Sequence, residues 1–348
     1  MKSRVGYEKV AVSSRVRLAR NFADYPFPGR LIRDKHAEEL AAEIIRLVGA
    51  QLDAIDDFRS YDMRAVSEET AAFLVEKSLI SRDLLNHRAI AAAFVHGDEN
   101  ISVMVNEEDH IREQCFAQGF DLQRAYERVC GIDDAISESL LFAYDARFGY
   151  LTACPTNLGT GLRASVMLFL PALSRRGILK KLAPDLARQG YTLRGTFGEG
   201  SGGEGDLYQI SNEVTLGYSE DAILNKVDEK VKYLVEFELR ERANLKTEGG
   251  LKLKDSVKRA YGVLSNCCRL EAKELISLIA ELKLGVALGY FGADPTKDDR
   301  IEELDALAAS MRPAGLDRLN GAPLSEEEQN ELRAEYTAKK IVKMNLIR

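Results

Sequence analysis

The spacing of the apolar residues changes along the chain from the period of a strand to the period of a helix. In residues 100–106, Ile101, Val103 and Val105 occupy every second position, which is typical of a β-strand. After Gly249-Gly250 the spacing is helical throughout. The first part of the chain is therefore expected to contain a sheet, and the second part helices alone.

The same analysis locates the other elements. Strand-like segments lie at 58–64, 88–95, 148–153, 163–170, 191–197 and 206–216. Helices are predicted over 34–48, 68–79, 121–145 with a break near Gly131, 219–244, 253–266, 270–283, 300–311 and 325–343. Ser325 and Glu328 have the spacing of a capping box. The chain therefore divides into an α+β domain, 1–245, and an all-helical domain, 246–348.

Composition excludes several classes of protein. Hydrophobic residues make up 45% of the 348 positions and charged residues 30%, which is enough for a core and excludes a disordered chain. No apolar run is long enough to span a membrane, and the first twenty residues lack the apolar core of a secretory signal. Five cysteines without a CxxC pair indicate reduced thiols in the cytoplasm. The net charge of −7 gives no support to nucleic-acid binding.

Closely spaced arginines are the first sign of chemistry. Arg15 and Arg17 are two residues apart, so on an extended segment both guanidinium groups face the same side. Such a pair suits the oxygens of a polyphosphate, because each guanidinium can bind phosphate in a bidentate manner. A solvated edge strand is the alternative interpretation of this spacing.

A run of three acids follows the strand at 100–106. Glu107, Glu108 and Asp109 could supply a general base or hold a metal ion through water, and Arg112 lies close behind them. His110 is either a second base or a structural residue. An acidic surface turn is the competing interpretation of the whole segment.

Two further segments have the composition of binding loops. Cys154 opens a turn rich in Gly and Thr, where it is either a partly exposed, reactive thiol or a buried, inert one. Arg163 enters an apolar run where an unpaired charge would be costly, so it is expected to face an anion. Residues 195–205 contain six glycines and are interpreted as a lid, with a disordered hairpin tip as the alternative. Their Gly198-x-Gly200-x-x-Gly203 pattern is not a dinucleotide fingerprint, because a strand-like segment follows it. Arginines beside these loops, together with the acids, fit a nucleotide triphosphate with Mg²⁺.

Four segments together resemble the phosphagen (guanidino) kinase family. They are SSRVRLARN from Ser13, VNEEDHIR from Val105, CPTNLGTGLRASVMLFLP from Cys154, and RGTFGEG with LYQISNEVTLG from Arg194 onward. The resemblance is closest to the bacterial protein-arginine kinases. Creatine and arginine kinases carry a helical domain before the SSRVR segment, whereas here that segment begins at residue 13 and the helical domain follows. The resemblance implies an antiparallel sheet flanked by helices, then a helical bundle.

The resemblance also implies an activity and the residues for it. The chain would be an ATP-dependent kinase that phosphorylates arginine residues in proteins. Glu108 would orient the target guanidinium and take its proton, Cys154 would contact it as a thiolate, and Glu107 would hold Mg²⁺ through water with no direct metal ligand. Asn157 would join Glu108 and Cys154 at the substrate. The nucleotide would contact Ser13, Ser14, Arg15, Val16, Arg17, Arg112, Arg163, Ala164, Ser165, Val166, Met167, Arg194, Gly195, Thr196, Phe197, Gly198 and Glu199.

Family partners and departures complete the expectations. A zinc-binding activator protein, a heat-shock repressor, a Clp-type chaperone and a second copy of the chain are the implied partners, in a cytoplasmic stress response. Gly202 replaces a lid glutamate of the family, for which Glu204 could substitute, and Ser78 replaces a histidine near the nucleotide. Gln329–Ala334 retains only half of a phosphoarginine-binding motif. The alternatives are a kinase for a small guanidino compound and a catalytically weak phosphoarginine or Clp adaptor.

Overall fold

The computed structural model describes residues 6–195, 203–292 and 299–346. Its strands are Ala11–Arg20 (β1), Phe58–Asp62 (β2), Ala92–His96 (β3), Ile101–Val105 (β4), Ile111–Gln118 (β5), Tyr144–Asp145 (β6), Gly149–Tyr150 (β7), Leu162–Phe169 (β8), Tyr191–Gly195 (β9) and Leu207–Asn212 (β10). Its helices are Pro28–Leu31 (α1), Ala37–Ile55 (α2), Glu68–Glu76 (α3), Leu122–Ser137 (α4), Pro171–Arg175 (α5), Ile178–Arg188 (α6), Glu220–Asn266 (α7), Ala272–Ala287 (α8), Arg300–Ser310 (α9), Pro313–Asn320 (α10) and Glu326–Lys343 (α11).

The described residues form one eight-stranded sheet and a small β6–β7 hairpin. The order in the large sheet is β2-β3-β4-β5-β1-β8-β10-β9, and every neighbouring pair is antiparallel. The predicted antiparallel set at 58–64, 88–95 and 100–106 is confirmed as β2, β3 and β4. The α+β fold class is confirmed as well. Strand β1, which carries the SSRVR segment, lies near the middle of the sheet.

Helices α2, α4 and α7 cover one face of this sheet, and α3 packs over β3 and β4 on the other. Val16 on β1 and Val166 on β8 are fully buried in one core with Ile44 of α2, Val129 of α4 and Val227 of α7. Burying a side chain of this size stabilises the fold by about 1.5–3 kcal/mol. Because side chains alternate between the two faces of a strand, the residues on either side of Val16 in β1 and of Val166 in β8 project to the opposite face of the sheet.

The predicted helix over 121–145 is wrong in its break and in its end. Helix α4 runs unbroken through Gly131 and ends at Ser137. A glycine within a helix costs about 1 kcal/mol relative to alanine. Gly131 faces open space, while Val129 and Ile132 pack into the core, and this packing outweighs the cost. The prediction gave too much weight to one residue.

The C-terminal helices enclose a second core. Val257 of α7, Ile279 of α8, Leu304 of α9 and Ile341 of α11 are buried together. Helix α7 is interrupted at Gly250, where φ is 47° and ψ −135°. The capping box of Ser325 and Glu328 is confirmed, whereas helices α1, α5, α6 and α10 lie outside the predicted set. The domain division at 245/246 stays a prediction, since α7 crosses it.

Polar contacts join the two parts of the chain. The Lys9 ammonium lies 3.3 Å from the Glu302 carboxylate. Arg312 donates a hydrogen bond to the Glu76 carbonyl, and the Glu76 carboxylate accepts one from the amide of Ala314 at the start of α10, both at 3.0 Å. The helical part is thus attached to α3 and to the segment just before β1. Of the helices in the described ranges, none is both long enough and apolar enough to cross a bilayer.

Candidate active site

The predicted arginines lie on the sheet face opposite helices α2, α4 and α7. Residues paired across neighbouring strands project to the same face. Arg17 on β1 is in register with Arg163 on β8, and Arg15 is two residues from Arg17. Arg112 on β5 pairs with Ala19, again two residues from Arg17. The register thus brings these four arginines to one surface.

Arg194 reaches the same face from the edge of the sheet. It pairs with Gln209 on β10, and Gln209 pairs with Met167 on β8. Met167 in turn pairs with Ser13, which has the same orientation as Arg15. All five arginines that the sequence analysis singled out therefore project from one face, across four strands.

Mutual repulsion and burial act on these arginines. Burial, followed by the charges of Arg112 and Arg163, lowers the pKa of Arg15 from 12.5 to about 10. Burial and three neighbouring guanidinium groups also lower the pKa of Arg17 well below its ordinary value. The pKa of Arg163 is lowered by burial and by Arg194. The protein thus holds like charges together, an arrangement that a polyanion would relieve.

Three guanidinium nitrogens on this face lack a hydrogen-bond acceptor within the protein's described residues. Within the described ranges, the Nε atoms of Arg17, Arg112 and Arg163 are buried and have no hydrogen-bond partner. A buried donor without a partner costs about 1–3 kcal/mol. Phosphate oxygens are suitable acceptors for such donors. The five arginines of this face, called the arginine cradle below, therefore fit the phosphates of a nucleotide.

The other predicted nucleotide residues divide between the two faces. Ser13, Ser165 and Met167 share the face of the arginines. The side chains of Ser14, Val16, Ala164 and Val166 project to the opposite, buried face. The structure therefore separates these four side chains from the arginines. Gly195 ends β9, whereas Thr196, Phe197, Gly198 and Glu199 lie outside the described residues.

Glu107 is buried beside the arginine cradle. Its exposed fraction is 2%, and one carboxylate oxygen lies 2.7 Å from a terminal nitrogen of Arg112. The other oxygen accepts a hydrogen bond from the Ser81 hydroxyl, a residue that the sequence analysis did not identify. No sequence signal marks Ser81, because it lies 26 positions before Glu107. The carboxylate is thus positioned among the cations of the cradle.

Glu108 and Cys154 meet at the end of the sheet. Glu108 is the exposed member of the three acids, and its side chain is in hydrogen-bond contact with that of Cys154. The protein packed around its carboxyl, and next the charge of Asp109, raise its pKa above 4.5. The Cys154 sulfur also lies 3.0 Å from the Thr156 hydroxyl. A carboxylate with a raised pKa is suited to accept a proton.

A small cavity lies between the turn that follows Cys154 and the arginines. It has a volume of about 100 Å³, and Asn157, Arg163, Arg194 and Glu213 are among its lining residues. The turn follows a tight course here, because Gly159 has a φ of 109° and a Cβ would lie 2.6 Å from the Thr215 carbonyl oxygen. Predicted substrate and nucleotide residues thus line a common space.

His110 is a structural residue. Its imidazole is fully buried, where Nδ1 accepts a hydrogen bond from the Phe22 amide and Nε2 donates one to the Pro26 carbonyl, each at 3.0 Å. Burial lowers its pKa from 6.5 to about 4. The neutral ring has no free nitrogen, so a role as a base is excluded in this arrangement.

His110 should make the protein sensitive to acid. Because its folded-state pKa lies below the unfolded value, the unfolded chain binds more protons as the pH falls from about 6.5 to 4. About 3 kcal/mol of the free energy of unfolding should be lost over this range. His110→Gln should remove this part of the pH slope in urea unfolding, and His36→Gln, at an exposed histidine, should not. An unchanged slope in His110→Gln would contradict the assignment.

Comparison with known proteins identifies the family. Residues 40–241 match the family model for the ATP:guanido phosphotransferase C-terminal catalytic domain, and residues 250–346 match that for the protein-arginine kinase McsB C-terminal domain. A protein-arginine kinase of Caldanaerobacter subterraneus subsp. tengcongensis is 38% identical over 97% of this chain and 98% of its own length. The chain belongs to the protein-arginine kinase family. A second member, from Symbiobacterium thermophilum, is 39% identical over 93% of this chain and 91% of its own length.

Solved guanidino kinases share the fold of this protein-arginine kinase family member. The crystal structure of lombricine kinase superposes with a TM-score of 0.59 at 25% identity, over 68% of each chain. The duplicated taurocyamine kinase from Schistosoma mansoni, with bound transition state analog components, gives 0.60 at 27% identity, over 79% of this chain and 40% of the other. The fold expected from the resemblance is confirmed. ATP is the phosphoryl donor that this family implies.

Two of the three departures from the protein-arginine kinase pattern can be located. Ser78 has a φ of 59°, and its carbonyl accepts a hydrogen bond from Gln114, which pairs with Arg17. Arg333 is 1% exposed and donates to the carbonyls of Met311 and Leu270, each at 2.9 Å. Its guanidinium thus stabilises the helical core. Gly202 lies outside the described residues.

The thiols of this protein-arginine kinase family member should differ in their reaction with an alkylating reagent and in their protection by substrates. Burial raises the pKa of Cys115 and of Cys130 to about 11, which disfavours their thiolates. Alkylation of Cys154 should be slowed by ATP with an arginine-containing polypeptide, because its side chain contacts Glu108. Alkylation of the exposed Cys268 should be unaffected. Peptide mapping after timed alkylation measures both rates, and protection of Cys268 in place of Cys154 would show that the site is misplaced.

Proposed function

We propose that the chain transfers the γ-phosphate of ATP to the guanidinium group of arginine residues in proteins. Protein-arginine kinases match it over nearly its whole length, and the five-arginine face carries the proposal structurally. On that face, the half-buried Arg17, Arg112 and Arg163 have buried Nε atoms without a hydrogen-bond partner among the described residues. An anion would satisfy these donors, and a triphosphate supplies several oxygens in a row.

Arg15, Arg17, Arg112, Arg163 and Arg194 would hold the phosphates and neutralise the charge of the transferred group. Phosphoryl transfer needs chiefly positioning and electrostatic stabilisation, and a set of fixed cations provides both. Of the other residues expected at the nucleotide, Ser13, Ser165, Met167 and Gly195 have suitable positions on this face or at its edge.

The acceptor would bind where Glu108 meets Cys154. A guanidine nitrogen attacks the γ-phosphorus, the bond from phosphorus to the bridging oxygen of ADP breaks, and the nitrogen loses its proton to the Glu108 carboxylate. The raised pKa of Glu108 increases its affinity for that proton. The Cys154 sulfur, as a thiolate, and the Asn157 amide would orient the guanidinium. The delocalised cation is a poor nucleophile without such help.

Mg²⁺ fits the same arrangement without a direct protein ligand. The described residues contain no group of three or more side chains that could hold a metal ion. The buried Glu107 carboxylate beside Arg112 would reach Mg²⁺ through water, while phosphate oxygens complete the coordination. When bound, the ion offsets negative charge on the phosphates.

The partners and the location follow from the family and are proposals as well. A zinc-binding activator protein, a heat-shock repressor, a Clp-type chaperone and a second copy of the chain are the expected partners, and the cytoplasm is the expected location. Pull-down of each candidate with the purified chain would test these contacts one at a time.

The activity has a distinctive product. A phosphorus–nitrogen bond to arginine is labile in acid, unlike a phosphate ester of serine or threonine. We expect incubation with ATP, Mg²⁺ and an unfolded arginine-rich protein to give an acid-labile phosphate on arginine, detected by mass spectrometry under neutral conditions. Acid-stable phosphate on hydroxyl residues, or no transfer, would contradict the proposal.

A further inference from the structure

A buried carboxylate ties together the two loops of the proposed site. Asp109 is 3% exposed, and its Oδ1 accepts hydrogen bonds from the Asn21 side chain and from the Ala153 amide, each at 2.6 Å. The Asn157 side chain also bonds to it. These partners come from the end of β1 and from the loop of Cys154, while Asp109 belongs to the loop between β4 and β5.

Asn21 makes further hydrogen bonds to both of the loops that Asp109 joins, a set of contacts called the junction below. It is 1% exposed, its Oδ1 accepts a hydrogen bond from the His110 amide at 2.9 Å, and its Nδ2 also donates to the Leu151 carbonyl at 3.1 Å. One amide side chain thus contacts the acidic loop on one side and the loop of Cys154 on the other.

The position of these contacts in the chain gives them mechanical meaning. Asp109 follows Glu108 directly, and Ala153 precedes Cys154 directly. The hydrogen bond from the Ala153 amide to Asp109 therefore joins the residue next to Glu108 to the residue next to Cys154. It fixes the backbone at both residues of the proposed acceptor site. Displacement of a reacting group by about 1 Å can reduce a rate by about 100-fold.

We propose that Asp109 and Asn21 are positioning residues that hold Glu108 against Cys154, and that Asp109 does not serve the metal. The inference deepens the proposed function and rests on it. The hydrogen bonds of Asp109 join the acidic loop to other segments of the chain, whereas Glu107 lies beside Arg112 on the face proposed for the phosphates.

A double-mutant cycle tests this proposal. Asp109→Ala should lower kcat by about 100-fold and Asn21→Ala by about 10-fold or more, while the Kd for ATP stays within about twofold. The double variant should be no slower than Asp109→Ala, because both substitutions break one junction. Asp109→Asn should restore most of the activity, since its amide oxygen can accept the same two hydrogen bonds. Asn21→Ser is the milder variant if Asn21→Ala does not fold.

Two readouts separate positioning from general damage. Amide hydrogen exchange at Ala153 should become at least tenfold faster in Asp109→Ala and also faster in the Asn21 variant. The concentration of Mg²⁺ that gives half-maximal rate should be unchanged in Asp109→Asn. Asp305→Ala is the matched control, because it leaves Lys283 buried without its partner in the helical part. It should lower the melting temperature but alter neither readout.

The outcomes that overturn the proposal are distinct from those that overturn the function. Multiplicative losses of kcat, unchanged exchange at Ala153, or a tenfold rise in the Mg²⁺ requirement of Asp109→Asn would each exclude the positioning role. Absence of arginine phosphorylation by the unmodified protein would refute the proposed function. In that case the exchange measurement still decides whether the junction exists.

Discussion

Glu108→Gln should lower kcat for phosphoryl transfer by about 1000-fold and leave the Kd for ATP within about twofold. Removing a general base typically costs 100-fold to 10,000-fold. The carboxylate contacts Cys154 at the end of the site proposed for the acceptor, whereas the arginines lie on the sheet face. In the unmodified protein, kcat should also fall in acid as Glu108 becomes protonated, at a pH above 4.5 because its pKa is raised.

The measurement is a pair of experiments on the same preparation. Calorimetric titration with ATP gives the Kd, and initial rates with an arginine-rich protein give kcat. Glu127→Gln is the matched control, because Glu127 is exposed on α4, where its carboxylate accepts a hydrogen bond of 3.0 Å from the Gln123 side chain. Weakened ATP binding with normal kcat in Glu108→Gln would place Glu108 at the nucleotide and contradict its role as base.

Arg17→Met should weaken ATP binding by about 100-fold or more and at the same time stabilise the free protein. Arg17 is held among three other guanidinium groups, and its buried Nε has no partner. A hydrophobic side chain of similar volume removes that repulsion, and replacing buried charges in this way is often stabilising by about 1–4 kcal/mol. The cation that the phosphates require is lost in the same substitution.

Opposite changes in stability and affinity are the signature of this prediction. Urea unfolding without ligand should give a free energy of unfolding that is higher by about 1 kcal/mol or more. Arg147→Met is the control, because Arg147 is exposed and lies 3.7 Å from Asp145. It should change neither quantity. A less stable Arg17→Met that binds ATP normally would show that Arg17 serves the fold.

Much of the site could be predicted because it depends on local spacing. Arg15 and Arg17 share a face for the simple reason that a strand alternates, and β1 confirms this. The same alternation places Val16 and Val166 in the core. The family pattern includes Val16 and Val166 in the nucleotide-binding segments, although their side chains project to the face opposite the arginines.

Contacts between distant parts of the chain could not be predicted in this way. Ser81 reaches Glu107, and Asn21 reaches Asp109 over 88 positions, through polar side chains that carry no periodic signal. Arg333 was part of a motif in the sequence, yet the structure uses it to bind carbonyls of the helical core. Such roles depend on which loops the tertiary structure brings together.

The most direct test compares two acceptors under the same concentrations of ATP and Mg²⁺. The residues proposed for the acceptor, Glu108, Cys154 and Asn157, all address the guanidinium and leave the α-amino and carboxylate groups of free arginine without assigned partners. Remote parts of a substrate normally contribute binding energy to turnover, and a polypeptide offers more of them. We expect kcat/KM for an unfolded arginine-rich protein to exceed that for free arginine by at least 100-fold. A larger kcat/KM for free arginine would contradict the account and identify a kinase for small guanidino compounds.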